Sequence, residues 1–172
     1  GECLTMCGIA GQVSFTENLL KYKDSYYRMS ETLKDRGPDQ NGEYFSPVAT
    51  LIHRRLAVVD IEKGTQPMIY EKNGEKYILV YNGELYNTEE IRHKLIEKGE
   101  HFVGHSDTEV VLKAFVHFGE YAVNLFNGIY AFSLWQVNKQ ELFFARDRMG
   151  VKPYFYTENN GSFIFASEIK AL

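Results

Sequence analysis

A thiol directly behind a methionine is the strongest chemical signal in this chain. Met6-Cys7-Gly8-Ile9-Ala10-Gly11 makes Cys7 the first residue if Met6 is the translational start and is removed. A free α-amine then shares a residue with the thiol. Its unperturbed pKa of about 7.7–8.0 lies near working pH, so it can take the thiol proton without a separate histidine. The plain alternative is that Cys7 is a small buried hydrophobe and Cys3 a tail thiol. A Cys3–Cys7 disulfide would close a tiny loop and brace nothing else. A zinc site would need two further ligands, and no histidine is near in sequence.

Other polar residues each carry a structural reading that competes with a chemical one. Asn82-Gly83 follows an apolar strand, which by itself is a strong hairpin-turn signal. Arg55 flanks a strand as a surface charge would. Asp107 opens a helix, where a carboxylate complements the helix dipole. His101 and His105 are spaced like metal ligands on a helix, but Gly104 lies between them and a third ligand is missing, so solvated loop histidines are expected and no metal site. His53 reads as a structural residue at a strand end, and Arg146-Asp147-Arg148 as an ion-pair network shaping its surroundings.

Elements must position these groups. Cys7–Phe15 reads as a strand whose glycines allow close approach of another backbone or a ligand. Asn18 can cap a helix running to Arg36, with Leu19, Tyr22, Tyr26, Met29 and Leu33 on one face. Gly37-Pro38 then stops it. Strands follow at Thr50–His53, Leu56–Asp60 and Lys76–Tyr81, the last entered through the turn Asn73-Gly74. Thr88 caps a helix to Lys98, and Ser106 or Asp107 begins another, with Val110, Val111, Ala114, Phe115 and Phe118 as its apolar stripe. Ile129–Val137, Glu141–Ala145, Tyr154–Thr157 and Phe163–Ala166 complete the strands. Ile129 to Trp135 is apolar on both alternating faces, so that strand must be covered on both sides. The pattern predicts an α+β fold: a four-layer αββα sandwich of two stacked antiparallel sheets flanked by helices.

Composition narrows the classes. The chain has 172 residues, 44% of them hydrophobic and 24% charged, which suits one soluble globular domain. A net charge of −4 argues against a nucleic-acid-gripping surface. No apolar run approaches the ~20 residues of a membrane span, and no signal-peptide pattern opens the chain. A reducing, cytoplasmic setting is expected.

Six segments stand together in one order: Cys7-Gly8-Ile9-Ala10-Gly11, Arg36-Gly37-Pro38-Asp39, His53-Arg54-Arg55-Leu56, Tyr81-Asn82-Gly83-Glu84-Leu85-Tyr86-Asn87, Ser106-Asp107-Thr108-Glu109, and Arg146-Asp147 with Gly150 and Pro153-Tyr154. In these the sequence resembles the class II (N-terminal nucleophile) glutamine amidotransferases. Within that class it is most similar to the glutaminase half of glutamine-hydrolysing asparagine synthetases. The resemblance implies an Ntn-hydrolase fold and L-glutamine as substrate. It gives Cys7 the nucleophile's role, with a thioester intermediate and release of ammonia. Asn82, through its side-chain amide, and Gly83, through its backbone N–H, are implied as the oxyanion hole. Arg55 is implied to hold the substrate α-carboxylate and Asp107 the α-ammonium. Leu56, Glu84 and the backbone of Val58 or Val59 are implied as further substrate contacts.

The expected organisation is a tag or leader over residues 1–6 and a glutaminase domain over 7–172. A C-terminal synthetase domain, which would need ATP and Mg, is expected in a parent protein and absent from this chain. No cofactor is expected in the glutaminase domain itself. The synthetase domain is the expected partner, reached across apolar surface near Leu172, and the resemblance also allows a homodimer. Two other readings stay open: the glutaminase half of a different amidotransferase, and a catalytically silent glutamine-binding or docking domain.

Overall fold

Strand alternation sorts the apolar residues onto three surfaces. The computed structural model describes residues 7–56 and 64–172. In chain order these form β1 (Gly8–Ser14), a 3-10 turn (Leu19–Tyr22), α1 (Lys23–Thr32), β2 (Gln40–Phe45) and β3 (Ala49–Arg55). Next come β4 (Met68–Lys72), β5 (Glu75–Leu85), α2 (Thr88–Glu97), α3 (Asp107–Phe118) and a 3-10 turn (Gly119–Asn124). β6 (Gly128–Gln136), β7 (Glu141–Arg146), β8 (Phe155–Asn159) and β9 (Ser162–Ala166) follow. One sheet has the order β2-β3-β1-β9-β8, the other β4-β5-β6-β7. All pairings are antiparallel.

Ile9, Leu51, Ile78, Val80, Trp135 and Phe165 meet between the sheets. The opposite face of the first sheet, through Ala10 and Ile52, packs on Tyr26 and Leu33 in and just after α1. The opposite face of the second, through Leu79, Phe132 and Leu134, packs on Ile91 and Leu95 of α2 and Val111 and Phe115 of α3. The layers are therefore helix, sheet, sheet, helix. β6 is apolar on both faces because Tyr130 and Phe132 meet the helices while Ala131 and Trp135 meet the other sheet. Each fully buried side chain of this kind stabilises by about 1.5–3 kcal/mol.

Several elements differ from their sequence expectation. Asn18 accepts the Leu20 N–H at 3.1 Å, but the segment is 3-10 through Tyr22 and α1 stops at Thr32. Leu33 turns into the core, and Arg36–Asp39 then runs against β3, where the Asp39 N–H donates to the Arg55 carbonyl at 3.0 Å. A β-carbon at Gly37 would collide with the Arg54 backbone, so only glycine permits that approach. β2 is a half-exposed edge strand that begins with polar residues and ends in Tyr44 and Phe45, with no apolar alternation to announce it. Of the expected strand Leu56–Asp60, Leu56 falls outside β3, and 57–60 lie outside the described residues. Thr88 begins α2 but does not cap it: its hydroxyl donates to the Leu85 carbonyl at 3.2 Å. The N-cap is Asn87, whose amide instead bridges the Leu125 carbonyl and the Asn127 N–H. Among the described residues no helix is long and apolar enough to cross a membrane.

A buried charge cluster fixes α3 to the second sheet. Glu100 accepts from Tyr70 at 2.8 Å and pairs with His117 at 2.7 Å, with Lys113 and Lys72 alongside. Lys113 also donates to the His101 carbonyl and to Glu109. Burial pushes the Glu100 carboxyl up, but the bonds from His117, Tyr70 and the His101 N–H, with Lys113 beside it, outweigh burial and hold it down at about 2 from an ordinary 4.5. A depressed acid stabilises the fold above its unfolded pKa, and that contribution fades as pH falls towards the folded value. Glu100→Gln should therefore cost about 1.5–3 kcal/mol near neutrality. In chemical denaturation the gap between wild type and variant should stay constant down to about pH 5 and close as pH falls towards 2.

Candidate active site

The inner faces of the two sheets converge on one cavity at the end of the sandwich. Leu51 of β3 and Val80 of β5 lie in the inter-sheet core. Two-residue alternation therefore puts Arg55 and Asn82 on that same inner surface farther along their strands. Cys7 stands one residue ahead of β1, in step with inward-facing Ile9. The resulting cavity, about 690 Å³, is lined by Cys7, Arg55, Asn82, Gly83, Asp107 and Lys152, with Leu56 and Glu84 also in its wall.

Leu56 grips the sulfur directly. Its N–H donates to Cys7 Sγ at 3.3 Å, and the thiol in turn reaches the Leu56 carbonyl at 3.7 Å. Burial pushes the Cys7 thiol pKa up, and the Leu56 contact and the cations Arg55 and Lys152 offset only part of this. The thiol is therefore protonated at neutral pH and needs a base. His53 does not fill that role. Its ring is buried, its Nε2–H donates to the Tyr81 carbonyl at 3.1 Å, and burial holds its pKa at about 3, so it stays neutral.

Asn82 and Gly83 are not a turn. They lie within β5, paired with Ala131 and Tyr130 of β6. The sandwich needs β5 long enough to cross the whole sheet, and a β-carbon at Gly83 would strike the Ile129 carbonyl, so glycine is required by close strand packing. Asn82 is 3% exposed, and its Nδ2 has no hydrogen-bond partner among the described residues. A buried amide without a partner at a cavity wall is a donor in place for an incoming oxygen.

Asp107 does two tasks. It opens α3 in the cavity wall, and its Oδ2 accepts the Leu85 N–H at 2.8 Å. Burial and the neighbouring Glu84 push its pKa up, against the Leu85 N–H and Arg92. The loop before it is fixed by Glu109, which accepts the Val103 and Gly104 N–H groups, both at 2.8 Å. Arg55 is buried in the opposite wall, with Nη1 donating to Gln40 at 2.8 Å. It is no surface charge. Val58 and Val59 lie outside the described residues.

Arg146-Asp147-Arg148 works through backbone bonds where an ion-pair network was expected. Asp147 accepts the N–H groups of Val151, Lys152 and Tyr130 at 2.9, 3.0 and 3.3 Å. Arg146 donates to the carbonyls of Lys152 and Gly150. This cage aims Lys152 into the cavity beside Cys7, a placement sequence reasoning passed over although Lys152 sits between the motif residues Gly150 and Pro153. Gln66 and Tyr81 were also missed, and both line the cavity. His101 and His105 are both exposed, and His105 lies at the cavity wall; among the described residues no group of three or more His, Cys, Asp or Glu side chains could hold a metal.

A protonated thiol shares this cavity with the unpartnered Asn82 amide, a guanidinium and a carboxylate. Such a site can carry acyl transfer on a substrate that bears both an α-carboxylate and an α-ammonium. A family model described as a glutamine amidotransferase domain matches residues 6–172. The chain is 48% identical to the protein named asparagine synthetase [glutamine-hydrolyzing] 3 of Bacillus subtilis, over 97% of this chain and 27% of that protein. It is 34% identical to asparagine synthetase [glutamine-hydrolyzing] of Zea mays, over 97% of this chain and 28% of that one. The chain thus spans under a third of the length of these relatives. Among solved structures, the glutamine phosphoribosylpyrophosphate amidotransferase of B. subtilis superposes with a TM-score of 0.71 at 20% identity, over 96% of this chain and 42% of that chain. That likeness bears on the fold.

Proposed function

The chain belongs to the glutamine amidotransferase domain family, and from that premise we propose that it hydrolyses L-glutamine to glutamate and ammonia through a thioester on Cys7. The observation that carries this reading is one cavity holding the Cys7 thiol, the unpartnered Asn82 amide, and Arg55 and Asp107 on its walls. Arg55 takes the α-carboxylate, for which a planar guanidinium suits. Asp107 takes the α-ammonium. Together they set the side-chain amide against Cys7.

The chemistry balances within these groups. The α-amine of a terminal Cys7 accepts the thiol proton as sulfur attacks the amide carbon. The oxygen takes up negative charge against Asn82 Nδ2–H and the Gly83 N–H. As the C–N bond breaks, the α-ammonium returns its proton to the leaving nitrogen and ammonia departs. Water then adds to the thioester, giving up a proton to the same amine. The thiolate leaves as thiol, and glutamate is released. A reducing compartment such as the cytoplasm suits a mechanism that depends on a free thiol.

The ammonia is used by a synthetase domain of a longer parent protein, where ATP and Mg would act. The relatives' extra length supports this, as do the exposed apolar side chains Met149, Val151, Ile169 and Leu172. Leu56, Glu84 and the backbone near Val58 and Val59 complete substrate contact.

Three measurements test the reading. Chain beginning at Cys7 should release ammonia and glutamate in equal amounts from L-glutamine. A glutamine-mimicking electrophile should label Cys7, whereas a silent docking domain would leave it unlabelled. Asp107→Asn should raise KM for glutamine about 10–100-fold, the loss of one charge-assisted bond, with kcat changed far less. An unchanged KM would remove Asp107 from the ammonium site.

A further inference from the structure

We infer that Gln66 is a positioning residue for this chemistry, an inference resting on the amide-hydrolysis reading: its side-chain amide fixes the β5 backbone that forms the oxyanion hole and ties it to the start of α3. β4 begins at Met68, paired with Leu79, so among the described residues no strand pairs with that edge of β5 beyond Leu79. Odd-numbered residues of β5 direct their backbone groups to that edge, since antiparallel pairing alternates. Tyr81, Gly83 and Leu85 would all need partners there.

Among the described residues, side chains supply two of the three. Gln66 Oε1 accepts the Tyr81 N–H at 2.6 Å, and Gln66 Nε2 donates to the Tyr81 carbonyl at 3.1 Å. One amide thus continues the ladder past the end of β4 as a strand residue would. Asp107 covers the Leu85 N–H at 2.8 Å. Gly83 stands between the two covered positions, and its N–H faces the edge of β5 that bounds the cavity. Donors to the oxyanion are therefore set by what holds the peptides on either side.

Gln66 holds the nearer one. The Tyr81 carbonyl and the Asn82 N–H share a single planar peptide, so pinning that carbonyl fixes the direction in which the Asn82 side chain leaves the strand. His53 donates to the same carbonyl at 3.1 Å, and with Gln66 occupies both its lone pairs. Gln66 Nε2 also donates to Thr108 Oγ1 at 3.1 Å, next to Asp107. A single side chain so connects the oxyanion donors on β5 to the ammonium ligand on α3. Gln66 is itself 6% exposed. Its backbone carbonyl lies so close to Gly42 that a β-carbon there would collide with it, which leaves the segment little freedom.

The test compares Gln66→Met with its parent, both beginning at Cys7. Misplacing the donors without removing them should lower kcat about 10–100-fold. KM for glutamine and inhibition by L-glutamate should stay within about threefold, since ground-state binding uses Arg55 and Asp107. Alkylation of Cys7 by iodoacetamide, a displacement with no oxyanion, should keep its rate. If Gln66→Met does not fold, Gln66→Asn is read in the same way; it keeps an amide but is one methylene short of Tyr81. An unchanged kcat in a folded variant overturns the inference. So does a parallel loss of kcat, glutamate binding and alkylation, the mark of general loosening. A parent that hydrolyses glutamine while the variants behave so leaves the proposed function standing. A parent inert to glutamine removes that function, and the role of Gln66 with it.

Discussion

Ammonia release from L-glutamine is expected to be about 10²–10⁴-fold faster when Cys7 is the first residue than when Gly1–Met6 precede it. With those residues attached, the Cys7 nitrogen is an amide whose lone pair is delocalised into the carbonyl and cannot take a proton. The buried groups nearest the sulfur are poor replacements. Burial keeps the thiol protonated despite Arg55 and Lys152, and His53 is committed through Nε2 to the Tyr81 carbonyl. Lys152 lines the same cavity, and burial first, then Arg36, lower its pKa. Lys152→Met in the longer chain therefore serves as the control for any residual activity. Parallel assays of the two lengths, with Cys7→Ala as blank, decide the matter. Equal rates would mean that the thiol is deprotonated by a group other than its own amine.

Asn82→Ala should lower kcat about 10²–10³-fold, the usual consequence of removing one oxyanion donor, and leave KM near its starting value. Stability should move the other way or not at all. Asn82 Nδ2 is buried without a partner among the described residues, so its removal relieves a desolvated polar group and breaks no native bond of that nitrogen. Paired assays of turnover and thermal midpoint separate this from a packing defect, which would lower both. A variant with lower stability and intact kcat would show Asn82 to be a structural residue of β5. Cys7 alkylation by iodoacetamide should proceed as in the parent, because that reaction develops no charge on a carbonyl oxygen.

The sequence determined the layers and the chemistry-bearing types. Near-continuous apolarity over Ile129–Trp135 required cover on both faces, and Leu79, Phe132 and Trp135 occupy the two cores that this implies. Cys7 and Asp107 were legible as a thiol at a strand's start and a carboxylate at a helix's first turn, while Arg55, Asn82 and Gly83 were singled out only by the resemblance. The edge strand β2 was not legible, since its half-exposed residues show no apolar alternation and its pairing with β3 is mainly through backbone. Nor was the early end of α1, where Leu33 prefers the core to a further helical turn. Asn82-Gly83 shows the limit most clearly. The same dipeptide is a turn signal in isolation and the middle of a long strand in the fold. Pairing with β6, remote in sequence, decided between them. Gln66 and Lys152 entered the site for the same reason. Their side chains act where β4 ends and where Asp147 gathers a loop, and such positions exist only once distant segments have packed.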